Sequence, residues 1–240
     1  MNKIILLTLV VLSLLLATEA RFEEPFFGFT QNQPLEEEEF QCLRDTTYYF
    51  IQTITGNDPQ TVYQARMASF SGLDTQLIYI PCINKDTDSY PESRVTDQVK
   101  TFLKTVHQVS CQVIWIQISV NDDEKCKWTD DIDFNCQRTK EIANYLKATA
   151  NKNIGFFSSQ EDWIKIFGSS EGCSSVSDKK NFYPLYYKHL DGQPNTHDYK
   201  DHKFGSFENP AMKMYLSTEE CNIKFNANVY YPQYLHIYDY

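Results

Sequence analysis

The sequence has no apolar stretch long enough to cross a bilayer. Its longest apolar run, Ile4 to Ala17, is about 14 residues, against the roughly 20 that a spanning helix needs. Lys3 precedes the run and Thr18-Glu19-Ala20 follows it, the layout of a secretory signal over residues 1–20 with a small-residue cleavage site. The expectation is an exported, soluble single domain over residues 21–240, extracellular or in the secretory lumen, with no membrane span after cleavage. No Asn-x-Ser/Thr acceptor occurs, so N-glycosylation is not expected. Basic charge is short as well: 22 Lys and Arg stand against 32 Asp and Glu, a formal net charge of −10. A nucleic-acid partner needs a basic footprint and is excluded. Long-range attraction to anionic bacterial surfaces fails on the same ground.

Chemical motifs are also scarce. The five histidines are scattered without ligand spacing, and no two cysteines form a Cys-x-x-Cys pair. No metal and no other cofactor is expected. There is no Gly-x-Ser-x-Gly elbow, no Cys/His motif with a nucleophile's context, and no Gly-rich phosphate loop after a strand. The seven cysteines, Cys42, Cys82, Cys111, Cys126, Cys136, Cys173 and Cys221, suit an oxidising compartment. Cys126 and Cys136 close a short loop and are expected to pair. The other pairings stay open, and the odd number leaves at least one thiol free or intermolecular.

What the sequence does have is one strongly patterned segment, Gln112 to Val120. Val113, Trp115, Gln117 and Ser119 alternate with Ile114, Ile116 and Ile118. At a β period one face is wholly aliphatic and the other carries Trp, Gln and Ser. That suits a parallel barrel strand, whose outside is covered by helices and whose inner face ends at a site. Strand-then-helix units surround it. Strands are expected over residues 25–30, 48–53, 75–81 and 153–159. Helices are expected from Glu36 to about Asp45 and over residues 61–71, 92–108, 134–150 and 160–167. The acids Glu36 to Glu39 suit the positive end of the first helix. Val95, Val99, Phe102, Leu103 and Val106 form one apolar stripe of the third. After residue 180 the helices stop, and residues 182–189, 212–216 and 224–231 read as strands. The alternation argues α/β with right-handed crossovers.

Several short pieces carry a resemblance. Ile78-Tyr79-Ile80-Pro81-Cys82, Ile114-Trp115, Ile154-Gly155 with Ser158-Ser159, Trp163, Ile166 and Gly168, and Pro184-Leu185-Tyr186-Tyr187 with His189 fall in one order at matching spacing. So do Asn209-Pro210-Ala211 with Tyr215 and Phe225-Asn226-Ala227-Asn228. Together they resemble family 25 glycoside hydrolases, the lysozyme (muramidase) family in its invertebrate and protist form, from about Gly28 to Tyr231. The resemblance implies an irregular TIM-like barrel, five β/α units closed by three further strands.

It also implies where acids should stand. The family places Asp on its first strand, Asp-x-Glu on its fourth and Asp on its eighth. The matching positions here are Thr30, Gln117, Ser119 and Asn226, all neutral. Glycoside hydrolysis uses a carboxylic acid to protonate the leaving oxygen and a carboxylate to stabilise the cationic centre or attack it. An amide or an alcohol does neither, so no catalytic residue is intact. Asp122 and Asp123, just past the fourth strand, are the candidate substitutes. Asp191 and Asp198, after the sixth, are weaker ones. Tyr79, Trp115, Tyr186, Tyr187 and Tyr215 are candidates for stacking on a sugar, although Tyr186 and Tyr187 cannot both point inward. Three functions follow: a non-hydrolysing lysozyme-like protein binding a glycan or an extracellular protein, an active muramidase using displaced acids, or a structural extracellular protein linked through its spare cysteine. The oligomeric state is left open.

Overall fold

The interior of the protein is filled from almost every strand and from none of the long helices. Tyr49, Ile51, Ile78, Val113, Trp115, Phe157, Tyr186, Met212, Met214 and Tyr230 form one buried cluster. A computed structural model of the chain describes residues 25–31, 33–45, 47, 49–54, 58–85, 89–177 and 182–235. The expected signal, residues 1–20, lies outside them. Eight strands close into a barrel in chain order: β1 (Phe26–Thr30), β2 (Tyr49–Ile54), β3 (Asp74–Tyr79), β4 (Cys111–Ile118), β5 (Asn153–Ser158), β6 (Leu185–Lys188), β7 (Pro210–Glu220) and β8 (Ile223–Tyr230). Neighbours from β1 to β7 are parallel. β8 runs antiparallel to both β7 and β1 and closes the ring. Five helices cover the first five strands: α1 (Glu37–Leu43), α2 (Pro59–Phe70), α3 (Val95–Val106), α4 (Ile132–Thr149) and α5 (Gln160–Phe167). This is the expected α/β barrel of five β/α units and three closing strands.

The alternation of β4 is realised as read. Val113 and Trp115 face the interior. Ile114, Ile116 and Ile118 face outward into a second cluster with Val99, Phe102 and Leu103 of α3, Ile142 of α4 and Trp163 of α5. A smaller outer cluster joins Phe29 of β1 and Phe50 of β2 to Phe40 and Leu43 of α1. α1 starts at a capping box, with the Glu39 carboxylate accepting the Glu36 backbone N–H at 2.7 Å. α2 starts at Asp58, whose carboxylate accepts the backbone N–H groups of Gln60 and Thr61.

Two boundaries differ from expectation. The helix expected over residues 92–108 is split: a 3-10 turn, Pro91–Ser93, precedes α3, and Arg94 between them is extended (φ −67°, ψ 124°). Gln98 consolidates the break by donating to the carbonyls of Cys82 and Ser93, both at 3.0 Å. β7 is longer than expected because it continues with β8 as a hairpin past the barrel end, where Cys221 at the tip is bonded to Cys42 in the last turn of α1.

The expected Cys126–Cys136 pair does not form. Cys126 is bonded to Cys82 and Cys136 to Cys173. β3 and β4 are adjacent and parallel, so the loops leaving them, which carry Cys82 and Cys126, emerge side by side. Cys136 lies on the first turns of α4 and meets the loop that follows α5. In a chain-entropy picture the bridges, with separations of 179, 44 and 37 residues, stabilise by about 5, 4 and 4 kcal/mol. The odd cysteine is Cys111, buried at the start of β4. Burial pushes its thiol up to about 11, which makes it an inert packing group.

Gly155 of β5 lies beside Trp115 of β4 in register. A β-carbon there would meet the Trp115 ring at 2.5 Å and the Pro184 carbonyl at 2.8 Å. The indole occupies the space a side chain at residue 155 would need.

Two outcomes are expected. Gly155→Ala should lower stability by about 1–3 kcal/mol through overpacking, read by urea unfolding. A thiol reagent should find no reactive cysteine in the native protein and one per chain in denaturant. Native labelling of Cys111 would show that β4 is not packed as described.

Candidate ligand groove at the strand ends

Of the four positions matched to the family's acids, Thr30 and Asn226 meet across β1 and β8, while Gln117 and Ser119 stand at the end of β4. They are bonded to neutral partners. Gln117 donates from Nε2 to Ser119 Oγ at 2.6 Å. Asn226 faces Thr30 in register across β1 and β8, and its Oδ1 accepts from Ser217 Oγ at 2.6 Å. Thr30 belongs to a closed ring of hydrogen bonds. Tyr186 donates to Asn228 Oδ1, Asn228 donates from Nδ2 to Thr30 Oγ1 at 3.0 Å, and Thr30 is left to donate back to the Tyr186 oxygen at 3.0 Å. All three side chains are buried. Burial raises the Tyr186 phenol far above its ordinary value, with the Thr30 hydrogen bond opposing only weakly. The phenol is therefore a fixed neutral donor.

Beside this ring lies a cleft of about 520 Å³, lined by Thr30, Gln31, Ser217, Thr218, Glu219, Lys224, Phe225 and Asn226. The extended β7–β8 hairpin forms its outer wall. Glu219, opposite Lys224 in register, is a carboxylate at this cleft that sequence patterning did not single out. Only the pairing of β7 with β8 carries it there.

The acids proposed as substitutes stand elsewhere. Asp122 and Asp123 are exposed. Asp123 accepts the Lys125 backbone N–H at 3.0 Å and lines a separate cleft with Cys82, Gln98 and Cys126. Asp162, from the first turn of α5, is the carboxylate bonded at the end of β4, accepting the Val120 N–H at 3.1 Å and the Ser159 hydroxyl at 2.8 Å.

The five aromatic candidates differ in burial and in the face they take. Tyr79 points outward, stacks on Phe102 and donates to Gln98. Trp115 is wholly buried inside the barrel and donates to Gln76 Oε1 at 2.7 Å. Tyr186 is wholly buried between Trp115 and Phe157, with ring centroids 5.5 and 4.4 Å away. Tyr187 takes the opposite face of β6 and packs on Tyr199 and Phe204. Tyr215 is half-buried against the outer cluster of α1 and β8. Strand periodicity separates two faces but does not say how deep along the strand a residue sits.

The outward face of β6 and β7 holds an ionic cluster in place of a covering helix. Lys213 is wholly buried and reaches Asp191 Oδ2 and Asp198 Oδ1, each at 2.8 Å. Asp198 Oδ2 also accepts from the Tyr187 hydroxyl at 3.1 Å and lies 2.6 Å from His189 Nδ1. Burial pushes the Asp198 carboxyl up, but the hydrogen bonds from Lys213 and His189 outweigh this and hold it below the usual carboxylate range. Asp191 and Asp198 thus anchor the β6–β7 connection rather than extend the groove. His202 joins His189 and Asp198, so that one ligating atom from each lies within 4.8 Å of the others. No ligand spacing marks this trio in the sequence, where a metal site was not expected.

Comparison with known proteins follows the same lines. A sequence-family profile described as Lysozyme-like protein 1 matches residues 24–215. Counting factor 50 of Dictyostelium discoideum is 24% identical over 204 residues, covering 82% of this chain and 62% of that protein. Probable GH family 25 lysozyme 3 of the same organism is 25% identical over 238 residues, and the chain spans only 45% of its length. Probable GH family 25 lysozyme 5 is 24% identical, with 91% and 97% of the two chains covered. Among solved structures, the lysozyme of Streptomyces coelicolor superposes with a TM-score of 0.66 at 10% identity, covering 89% of this chain and 96% of that one. The muramidase of Acremonium alcalophilum gives 0.60 at 11%, covering 85% and 93%. At such identity the structures speak for the fold.

The ionic cluster sets an expectation for stability. Lys213→Met strands two carboxylates beside a buried site and should cost about 3–5 kcal/mol in denaturant unfolding. Asp198 is depressed in the folded state, so its contribution is complete above its ordinary value of 3.8. It is lost as pH falls through the lower folded value. Acid unfolding of the Lys213→Met variant should therefore lack part of the stability loss expected below pH 4 for the unmodified protein.

Proposed function

Because this chain belongs to the Lysozyme-like protein 1 family, we propose that it is a secreted lysozyme-like protein that has ceased to hydrolyse glycans and binds them instead. The groove would be the cleft between the ends of β1 and β8 and the β7–β8 hairpin. The observation that carries the reading is the neutral set Thr30, Gln117, Ser119 and Asn226, whose side chains are hydrogen-bonded to other neutral groups. Acid–base help from one carboxyl group alone is worth roughly 10²–10⁴-fold in rate, and all four family positions lack it.

The residues lining the cleft supply what a sugar needs for recognition. Ser217, Thr218, Gln31 and Asn226 present hydroxyl and amide groups, and Glu219 and Lys224 add one charge of each sign. Polar groups of this kind exchange hydrogen bonds with sugar hydroxyls and acetamido groups at little desolvation cost. A peptidoglycan-like glycan is the ligand class the family points to. That one relative bears the name counting factor 50, which is not that of a lysozyme, supports a use of this barrel other than hydrolysis.

Hydrolysis through displaced acids has less support, since Asp122 and Asp123 are exposed and Asp123 belongs to a different cleft. A cross-linked structural role has less support again, since the odd cysteine, Cys111, is buried. Export is supported by three disulfides and by the absence, among the described residues, of a helix long and apolar enough to span a membrane.

The test is a pair of measurements on the purified protein with insoluble bacterial peptidoglycan. Co-sedimentation without loss of turbidity from acid to neutral pH is expected. Clearing by the unmodified protein would overturn the reading, and absence of co-sedimentation would remove the glycan. In parallel, Gln117→Asp/Ser119→Glu should lower the melting temperature, because two carboxylates placed in one half-buried site repel and resist desolvation. A higher melting temperature would contradict the account of why neutral groups settle there.

A further inference from the structure

We propose that His189, Asp198 and His202 form a binding site for a divalent transition-metal ion, Zn²⁺ by preference, in the β6–β7 connection on the outside of the barrel. This site is separate from the groove and does not depend on the function proposed for it.

Three ligating atoms lie within 4.8 Å of one another, one each from His189, Asp198 and His202. The residues come from the end of β6, the 3-10 segment His197–Asp201 and the residue after it. The two imidazoles are already in contact, with ring centroids 4.4 Å apart. Around a tetrahedral ion with bonds of about 2.0 Å, donors stand about 3.3 Å apart. The His189–Asp198 separation of 2.6 Å must open and the wider ones close, each by side-chain movements on the order of 1 Å.

The supporting groups already hold the carboxylate. Asp198 is oriented by Lys213 on one oxygen and by the Tyr187 hydroxyl on the other. His189 is tied through its backbone N–H to the Met214 carbonyl at 3.0 Å, and His202 likewise to the Tyr199 carbonyl at 3.0 Å. Carboxylate ligands are commonly held by such outer hydrogen bonds. Charge also favours a cation: Asp191 and Asp198 together outweigh Lys213 by one negative charge while the imidazoles are neutral.

The donors select the ion. Two imidazoles and one carboxylate suit zinc and its neighbours, whereas Ca²⁺ and Mg²⁺ require oxygen sets. His189 and His202 line a cleft of about 410 Å³ together with Ser159, Asp162, Tyr187 and Leu190, so an ion can enter from solvent. Three protein donors leave a fourth position for water or for an oxygen of a bound molecule.

The test uses the untagged secreted protein, stripped with chelator and titrated with ZnCl₂ at pH 7.5. One equivalent should bind per chain and raise the melting temperature in a concentration-dependent way. Co²⁺ in its place should give the visible absorption of a low-coordinate site. His202→Ala, which leaves the Lys213 ion pairs intact, should weaken zinc binding roughly tenfold or more and keep the melting temperature of the metal-free protein. His197→Ala, at an exposed histidine, should bind as the unmodified protein does. Absence of a stoichiometric zinc site in the folded, unmodified protein would overturn the proposal. So would equal affinity in His202→Ala.

Discussion

The structure depends on how the barrel interior is plugged. Trp115 of β4 lies across Gly155 of β5 and against Tyr186 of β6. The Tyr186 hydroxyl then closes a ring of hydrogen bonds with Asn228 of β8 and Thr30 of β1. One side of the interior is thereby joined to the other by two large rings and three neutral polar groups. A buried ring in which every donor meets an acceptor avoids the penalty of an unpaired polar group, about 1–3 kcal/mol for each.

Neutrality at those ends is consistent with the plug. A carboxylate at Thr30 would sit in a buried position whose neighbours are an uncharged phenol and an amide. Ionised, it would lose hydration; protonated, it would disturb a closed ring. An active glycosidase accepts such strain because the acid performs the reaction. Here Thr30, Gln117, Ser119 and Asn226 are hydrogen-bonded to neutral partners.

The second half of the barrel solves a different problem. After α5 no further α-helix occurs among the described residues, and β6 and β7 are shielded by their connections. Tyr187, Tyr199, Phe204 and Phe207 supply the apolar part. Lys213 supplies the rest, buried under Asp191 and Asp198. Such a cluster pins a long connection in one register, and the cost of burying Lys213 is offset only because both partners are present. The nearness of His189 and His202 follows from that pinning.

Much of this was legible in the chain itself. Period-two alternation in β4, the apolar stripe of α3 and the acids opening α1 are local patterns, and local patterns set element type and the buried face. The order of motifs identified the barrel, and the four neutral positions stood out because each motif supplies its own register. The disulfide partners, the depth of each aromatic ring and the split before α3 were not legible. They depend on which loops emerge side by side from adjacent parallel strands and on where along a strand the interior ends. The Lys213 cluster and the His189–Asp198–His202 trio lie further out of reach, since a connection without periodicity carries no signal of what it folds against. The sequence alone determined the architecture, because it is written in short-range spacing. Only the tertiary structure decided which side chains meet, because closing the barrel brings together residues far apart in the chain, as in the Asn228–Thr30 hydrogen bond, 198 positions apart.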